Sequence, residues 1–407
     1  MTLTLADIQA ARRLLAGQVL RTPMLPAPKL SALSGAEVFV KYENLQVTNS
    51  FKDRGAFIKL TALSDTERAQ GVIAMSAGNH AQAVAYHAAR LGIPAVIVMP
   101  VTTPFVKVAA TRSYGAKVVL HGESVGEAQA RVEELTASDG YVQVHPYVDP
   151  RIIAGQGTVA LEMLEDVDAL DVLVVPIGGG GLIAGNAIAA KAVKPAIEIV
   201  GVEAALYPSM WNALRGAEQV TGGSTLADGI AVKKVVGLTV EVVRELVSDI
   251  LLVGEADLER AVNAYVTLQK TVAEGAGAAG LAAVLANPDR FRGKKVGLIL
   301  SGGNIDPRIL ASIMVRELER EHQIVSFRLM IPDRPGVLGH IATRLGELGA
   351  NILQVEHRRL FLDVPAKGAT IDVTVETRDA AHANDIHAAF VADGYVVQPI
   401  KPGNSRE

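Results

Sequence analysis

Val72-Ile73-Ala74-Met75-Ser76-Ala77-Gly78-Asn79-His80-Ala81-Gln82 has the pattern of a strand, a turn and the opening of a helix. Four apolar residues in succession suit a strand buried on both faces, the small polar turn ends it, and apolar residues at helical spacing follow over 81–91. The unit repeats outward as a strand over 95–99, a helix over 104–114 and a strand over 117–120. It resumes with a strand over 171–176, a helix over 183–191 and a strand over 198–202, and closes with a strand over 295–300. This alternation predicts an α/β fold on parallel sheets. On the N-terminal side, residues 1–20 show helical spacing, prolines at 23, 26 and 28 break it, and 37–42 alternates like a strand.

A chain of 407 residues exceeds one ordinary domain. Hydrophobic residues make up 49% but aromatics only 4%, so the core is aliphatic, as helices packed on buried parallel strands require. A net charge of -4 without a block of Lys or Arg gives nucleic acid or an anionic membrane little to hold. The absence of cysteine removes disulfides, thiolate metal sites and cysteine nucleophiles. No run of about eighteen uncharged apolar residues occurs, and the N-terminal stretch lacks a signal-peptide core, so a soluble, cytoplasmic protein is expected.

Around His322 the pattern changes. Strands over 325–330, 352–358, 370–376 and 395–399, with helices over 337–348 and 380–393, spell β-α-β-β-α-β, the ferredoxin-like order. The expected organisation is a first region over 1–320 with a smaller subdomain roughly over 50–150, a linker over 321–325 and a tail domain over 326–401.

Four turns carry candidate chemistry. In Asn49-Ser50-Phe51-Lys52-Asp53-Arg54-Gly55-Ala56, Lys52 follows an aromatic residue and opens an apolar helix-like run. A lone lysine there is ordinarily a solvated charge, whereas a partly buried one forms Schiff bases with carbonyl cofactors. Ser76, Ala77, Gly78, Asn79 and His80 form a small turn at a helix start, suited to a carboxylate or phosphate but also to simple capping. Gly178, Gly179, Gly180 and Gly181, before Leu182, follow a buried strand, where bare backbone suits a phosphate. That turn lacks both the dinucleotide and the P-loop spacing. Ser301-Gly302-Gly303-Asn304 ends the last core strand, a usual ligand position in open parallel sheets. Glu203 and Glu274 stand at apparent element ends, as caps, core ion pairs or ligands.

Together these turns resemble the pyridoxal-phosphate enzymes of the tryptophan-synthase-β fold type (fold type II), and among them the threonine ammonia-lyases (threonine dehydratases). The similarity runs through most of 15–315, including Ser50-Phe51-Lys52-Asp53-Arg54-Gly55-Ala56, Ala154-Gly155-Gln156-Gly157-Thr158, Leu226-Ala227-Asp228-Gly229 and Ser301-Gly302-Gly303-Asn304-Ile305-Asp306. The tail resembles an ACT domain, through Asp333-Arg334-Pro335-Gly336-Val337-Leu338 and Gly349-Ala350-Asn351-Ile352. The resemblance implies pyridoxal 5'-phosphate held on Lys52, with Phe51 beside it, Asn79 on its phenolic oxygen, Gly178 to Leu182 on its phosphate and Ser301 on its ring nitrogen. Ser76, Ala77, Gly78, Asn79 and His80 would hold the substrate carboxylate. It implies β-elimination of water from L-threonine, and from L-serine, to a 2-oxo acid and ammonia. An amino-acid effector would lie near Asp333, Gly336, Val337, Leu338, Asn351 and Ile352, in a homo-oligomer (dimer or tetramer). Serine racemases share the turns but carry a serine where Ala77 stands, and Ser209 replaces the aspartate of their metal pattern beside Glu203, so no metal site is expected. A β-replacement enzyme of the same fold and a non-catalytic amino-acid-sensing module are the other readings.

Overall fold

The computed structural model describes residues 3–218, 221–359 and 368–400. Met1 and Thr2 of the expected first helix, and Lys401 at the end of the expected tail domain, lie outside them. In chain order the strands are β1 (Met24–Pro26), β2 (Glu37–Tyr42), β3 (Val72–Met75), β4 (Ala95–Met99), β5 (Lys117–Leu120), β6 (Val142–Gln143) and β7 (Val172–Pro176). There follow β8 (Glu198–Ala204), β9 (Asp249–Val253), β10 (Lys295–Leu300), β11 (Ile324–Pro332), β12 (Asn351–Arg358), β13 (Gly368–Glu376) and β14 (Val396–Pro399).

The contacts divide the chain into two units, Met1–Asp306 and Pro307–Glu407. In the first, a six-stranded sheet has the order β1-β2-β10-β7-β8-β9, parallel except for β1, and a four-stranded sheet has the order β5-β4-β3-β6, parallel throughout. All parallel strands of a sheet end on the same side, so the four candidate turns emerge at carboxyl ends. The Ala- and Gly-rich helix Gly275–Ala286 is buried almost throughout and packs on β7, β8, β9 and β10. A helix apolar on every side is stable only when covered on every side.

The helix that Lys52 opens is held hard against its neighbours. A Cβ built on Gly155 would lie 2.7 Å from the Gly55 Cα, so the helices Lys52–Thr61 and Pro150–Asp166 touch backbone to backbone. Beside this contact the fully buried Arg54 directs Nε and Nη2 to both Glu43 oxygens (2.8 and 2.7 Å), Nη1 and Nη2 to both Glu162 oxygens (2.7 and 2.8 Å) and Nη1 to Thr158 (3.1 Å). Those bonds use all the guanidinium donors. Lys41 Nζ completes the cluster on Glu162 at 2.6 Å. Burial opposes the Arg54 charge, but Glu43 and Glu162 outweigh it and hold its pKa above the usual arginine value.

The first helix spans Leu5–Leu15, shorter than 1–20, because Gly17 takes φ +72 and turns the chain. The helix expected over 183–191 is Gly181–Val193, beginning inside the glycine run. The second unit is the β-α-β-β-α-β arrangement, an antiparallel sheet in the order β12-β13-β11-β14 packed around Phe327, Leu329, Ile371, Val373, Ile386 and Phe390. The helix Pro307–Arg320 groups with it, and β11 begins at Ile324, within the stretch 321–325.

Candidate active site

Lys52 follows β2 through a 3₁₀ turn, Glu43–Leu45. Asn49 adopts φ +56, a left-handed value that asparagine tolerates. The Lys52 turn is tied by its backbone to the segment after β10: the Phe51 N–H donates to the Ser301 carbonyl (3.0 Å) and the Gly303 N–H to the Asn49 carbonyl (3.0 Å). Lysine and serine turns therefore form one backbone unit. Lys52 Nζ donates to the Pro146 carbonyl at 3.0 Å and lies 5.1 Å from the centre of the Phe51 ring. Burial lowers its pKa from a lysine's ordinary 10.5 to about 8, and the negative charge of Glu274 acts in the opposite sense.

The glycine run comes to the same place from β7. Gly180 has φ +89 and precedes the helix Gly181–Val193. A Cβ on Gly179 would sit 2.1 Å from Tyr147 Cγ, so only glycine lets the Tyr147 ring lie on this turn. Tyr147 follows Pro146 in the segment between β6 and the helix Pro150–Asp166. One short segment thus meets the Lys52 amine with a carbonyl and the glycine run with a ring. Neither Pro146 nor Tyr147 belongs to a motif whose spacing would have singled it out.

After β3, the Gly78 N–H donates to Ser76 Oγ (3.2 Å), and a Cβ on Gly78 would meet nothing within 4 Å, leaving open space beside the turn. Asn79 Nδ2 donates to Glu274 Oε1 (2.6 Å), and Asn79 Oδ1 accepts from Asn304 Nδ2 (2.8 Å). Burial, with Asp228 adding to it, pushes the Glu274 carboxyl up to about 7, and Asp228 is itself paired with Lys107. His80 is placed differently. Its Nε2 donates to the Val144 carbonyl (2.8 Å) and burial drives its pKa down to about 3, so a neutral ring packs into the fold and the turn gains only its backbone.

Lys52, Phe51, Asn79, the glycine run and Ser301 are thus gathered around the Lys52 and Pro146–Tyr147 segments, while Leu182 is buried in the core. Glu203 accepts the Met210 and Trp211 N–H groups (2.8 and 2.9 Å), capping the helix Ser209–Arg215, and burial pushes it up to about 7. In the second unit, Asp333 accepts from Arg359 Nε (3.1 Å) and Gly336 turns the chain into the helix Val337–Glu347. Asn351 donates to Glu376 (3.2 Å). Asn351 pairs with Glu376, and Glu376 with Ile324 at the start of β11, whereas Asp333 follows its end at Pro332. The stretches 333–338 and 351–352 therefore lie at opposite ends of the sheet and form no single site within one module.

The sequence matches the family of pyridoxal-phosphate dependent enzymes over residues 15–302 and the ACT domain over 325–390. It is 44% identical over 398 residues to the L-threonine ammonia-lyase of Thermotoga maritima, covering 97% of this chain and 99% of that one. It is 45% identical over 304 residues to the catabolic L-threonine dehydratase of Escherichia coli (strain K12), 74% of this chain and 92% of the relative. Among solved structures, maize serine racemase superposes with a TM-score of 0.73 at 36% identity, over 79% of this chain and all of that one. Among the described residues no helix is long and apolar enough to cross a membrane.

Proposed function

The chain belongs to the pyridoxal-phosphate-dependent enzymes and carries an ACT domain, and from that premise we propose that it is a threonine ammonia-lyase, converting L-threonine to 2-oxobutanoate and ammonia. L-Serine is a second substrate, and an amino acid bound to the ACT domain adjusts the rate. The observation that carries this reading is the meeting of Lys52 Nζ with Pro146 while the neighbouring Tyr147 lies on Gly179, which brings the amine and the glycine run to one place.

The residues fit the cofactor. Lys52 supplies an amine whose pKa burial lowers to about 8, and Phe51 supplies an apolar ring beside it. The turn Gly178 to Leu182 supplies bare N–H groups at a helix start, favourable to a phosphate. Asn79 has an N–H to spare for the phenolic oxygen, and Ser301 offers a hydroxyl, not a carboxylate, to the ring nitrogen. When bound, pyridoxal phosphate supplies an electron sink conjugated with the substrate α-carbon.

Lys52 Nζ then takes the α-proton as general base, and the hydroxyl leaves the β-carbon. Ser76, Ala77, Gly78 and Asn79 hold the carboxylate chiefly through the turn's backbone. One water is lost in the elimination and one is taken up when the released imine hydrolyses, so the net products are 2-oxobutanoate and ammonia. Racemisation of serine is the second reading, favoured by the maize structure; Ala77 weakens it, having no proton to exchange. An effector touching both 333–338 and 351–352 would need two copies of the module, in keeping with a homo-oligomer.

The test is ammonia and 2-oxobutanoate release from L-threonine. Lys52→Ala is expected to lower kcat by about a thousandfold, the scale of a lost general base. Full turnover by that variant would overturn the proposal, and D-serine formed from L-serine faster than pyruvate would favour the racemase.

A further inference from the structure

The orientation of the Asn79 side chain is decided away from Asn79 itself. Thr48 is fully buried, and its N–H and hydroxyl donate to the carboxylate of Asp53, the residue after Lys52 (3.1 and 2.6 Å). The Thr48 carbonyl accepts from Asn304 Nδ2 at 2.8 Å. A carbonyl oxygen only accepts, so the Asn304 nitrogen must face Thr48, and its second N–H is the one that reaches Asn79 Oδ1 at 2.8 Å. Asn49 Nδ2, donating to Asn304 Oδ1 at 3.3 Å, agrees with that orientation. With its oxygen committed to Asn304, Asn79 must turn its nitrogen to Glu274 Oε1, 2.6 Å away. Glu274 is buried, and its own N–H is anchored on the Gly302 carbonyl (3.1 Å). One N–H of Asn79 remains unassigned.

We propose that Asn304 and Glu274 are positioning residues that lock the Asn79 carboxamide nitrogen-forward, so that it meets the reaction site as a hydrogen-bond donor and never as an acceptor. This rests on the reading of Asn79 as the partner of the cofactor's phenolic oxygen. That oxygen is an acceptor, and a flipped carboxamide would set oxygen against oxygen. The chain from Asp53 through Thr48 and Asn304 to Asn79 begins at the lysine turn, so the donor is placed by the segment that places the amine.

The experiment is a double-mutant cycle on the purified holoenzyme, read by equilibrium dialysis of pyridoxal phosphate and by its visible absorption band. Asn304→Asp keeps the shape but has no N–H for Thr48 or Asn79. It is expected to weaken cofactor binding about tenfold, the scale of one hydrogen bond, and to shift the band. Asn79→Ala should do the same, and Asn304→Asp should add nothing in the Asn79→Ala background, because it acts through Asn79. Glu274→Met removes the acceptor that faces the Asn79 N–H, and should likewise weaken cofactor binding and add nothing in the Asn79→Ala background. Additive losses, or an unchanged Asn304→Asp beside a weakened Asn79→Ala, would overturn the positioning role. If Asn79→Ala binds the cofactor like the parent, the Asn79 reading itself fails. Asn304→Ser replaces Asn304→Asp should the latter not fold by circular dichroism, with the same expected loss and non-additivity.

Discussion

Burial of the Lys52 amine gives the protein a pH response with a definite sign. The free base attacks a carbonyl, and with a pKa of about 8 its fraction climbs through that value, more than two pH units below an exposed lysine. The rate at which cofactor-free protein takes up pyridoxal phosphate should rise to a midpoint near pH 8 and level above it; a midpoint near 10.5 in stopped-flow absorbance would place the amine in solvent. Stability follows by linkage. Between about 8 and 10.5 the unfolded chain holds a proton that the folded chain has lost, so this lysine's unfavourable contribution, complete below 8, is relieved as pH rises. Among residues, the sequence marked out the candidates but not their neighbours. Lys52 was legible from the turn it opens, whereas Pro146 and Tyr147 reach it only through folding. His80 stood in the right turn with a side chain aimed elsewhere, a matter of rotamer that no spacing records.

Among the elements, the helix Lys52–Thr61 shows how a site is held from behind. Arg54, two positions after the lysine, is locked to Glu43 and Glu162, which belong to the turn after β2 and to the helix Pro150–Asp166. Arg54→Met would fill much of the volume but leave both carboxylates short of their partner. Breaking a buried pair on one side costs about 3–5 kcal/mol, more than a well-packed apolar replacement of all partners would. Thermal unfolding of the loaded enzyme should shift accordingly, with Arg54→Lys intermediate because one ammonium cannot span two carboxylates. An unchanged midpoint for Arg54→Met would mean that the cluster adds nothing to stability. Apolar runs such as Val72–Met75 announced their strands because burial on both faces leaves a continuous signature. The edge strand β1, only Met24–Pro26, left none, since so short a segment depends on its pairing with β2. The Arg54 cluster was equally silent, because charged residues read as surface until their partners are known.

For the whole molecule, two units with separate cores imply two separable tasks. The unit Met1–Asp306 contains Lys52, the glycine run, Asn79, Glu274 and Ser301, and the Escherichia coli relative aligns over 304 residues that make up 92% of its own chain. Catalysis should therefore survive removal of the ACT domain. Where the cut falls matters: the change of composition near His322 was legible in the sequence, but the contacts set the division at Asp306, because the helix Pro307–Arg320 packs with β11. A chain ending at 306 and one ending at 322 should both turn over threonine within a few-fold of the parent. The longer one leaves that helix without β11, the strand it packs with, and should be the less soluble of the two. Neither should respond to isoleucine, valine or any other amino acid that alters the full chain's rate. Steady-state assays with and without these amino acids decide the matter: an effector response retained by the 306-residue chain would move the regulatory site into the catalytic unit, and loss of turnover in both truncations would make the ACT domain part of the catalytic fold.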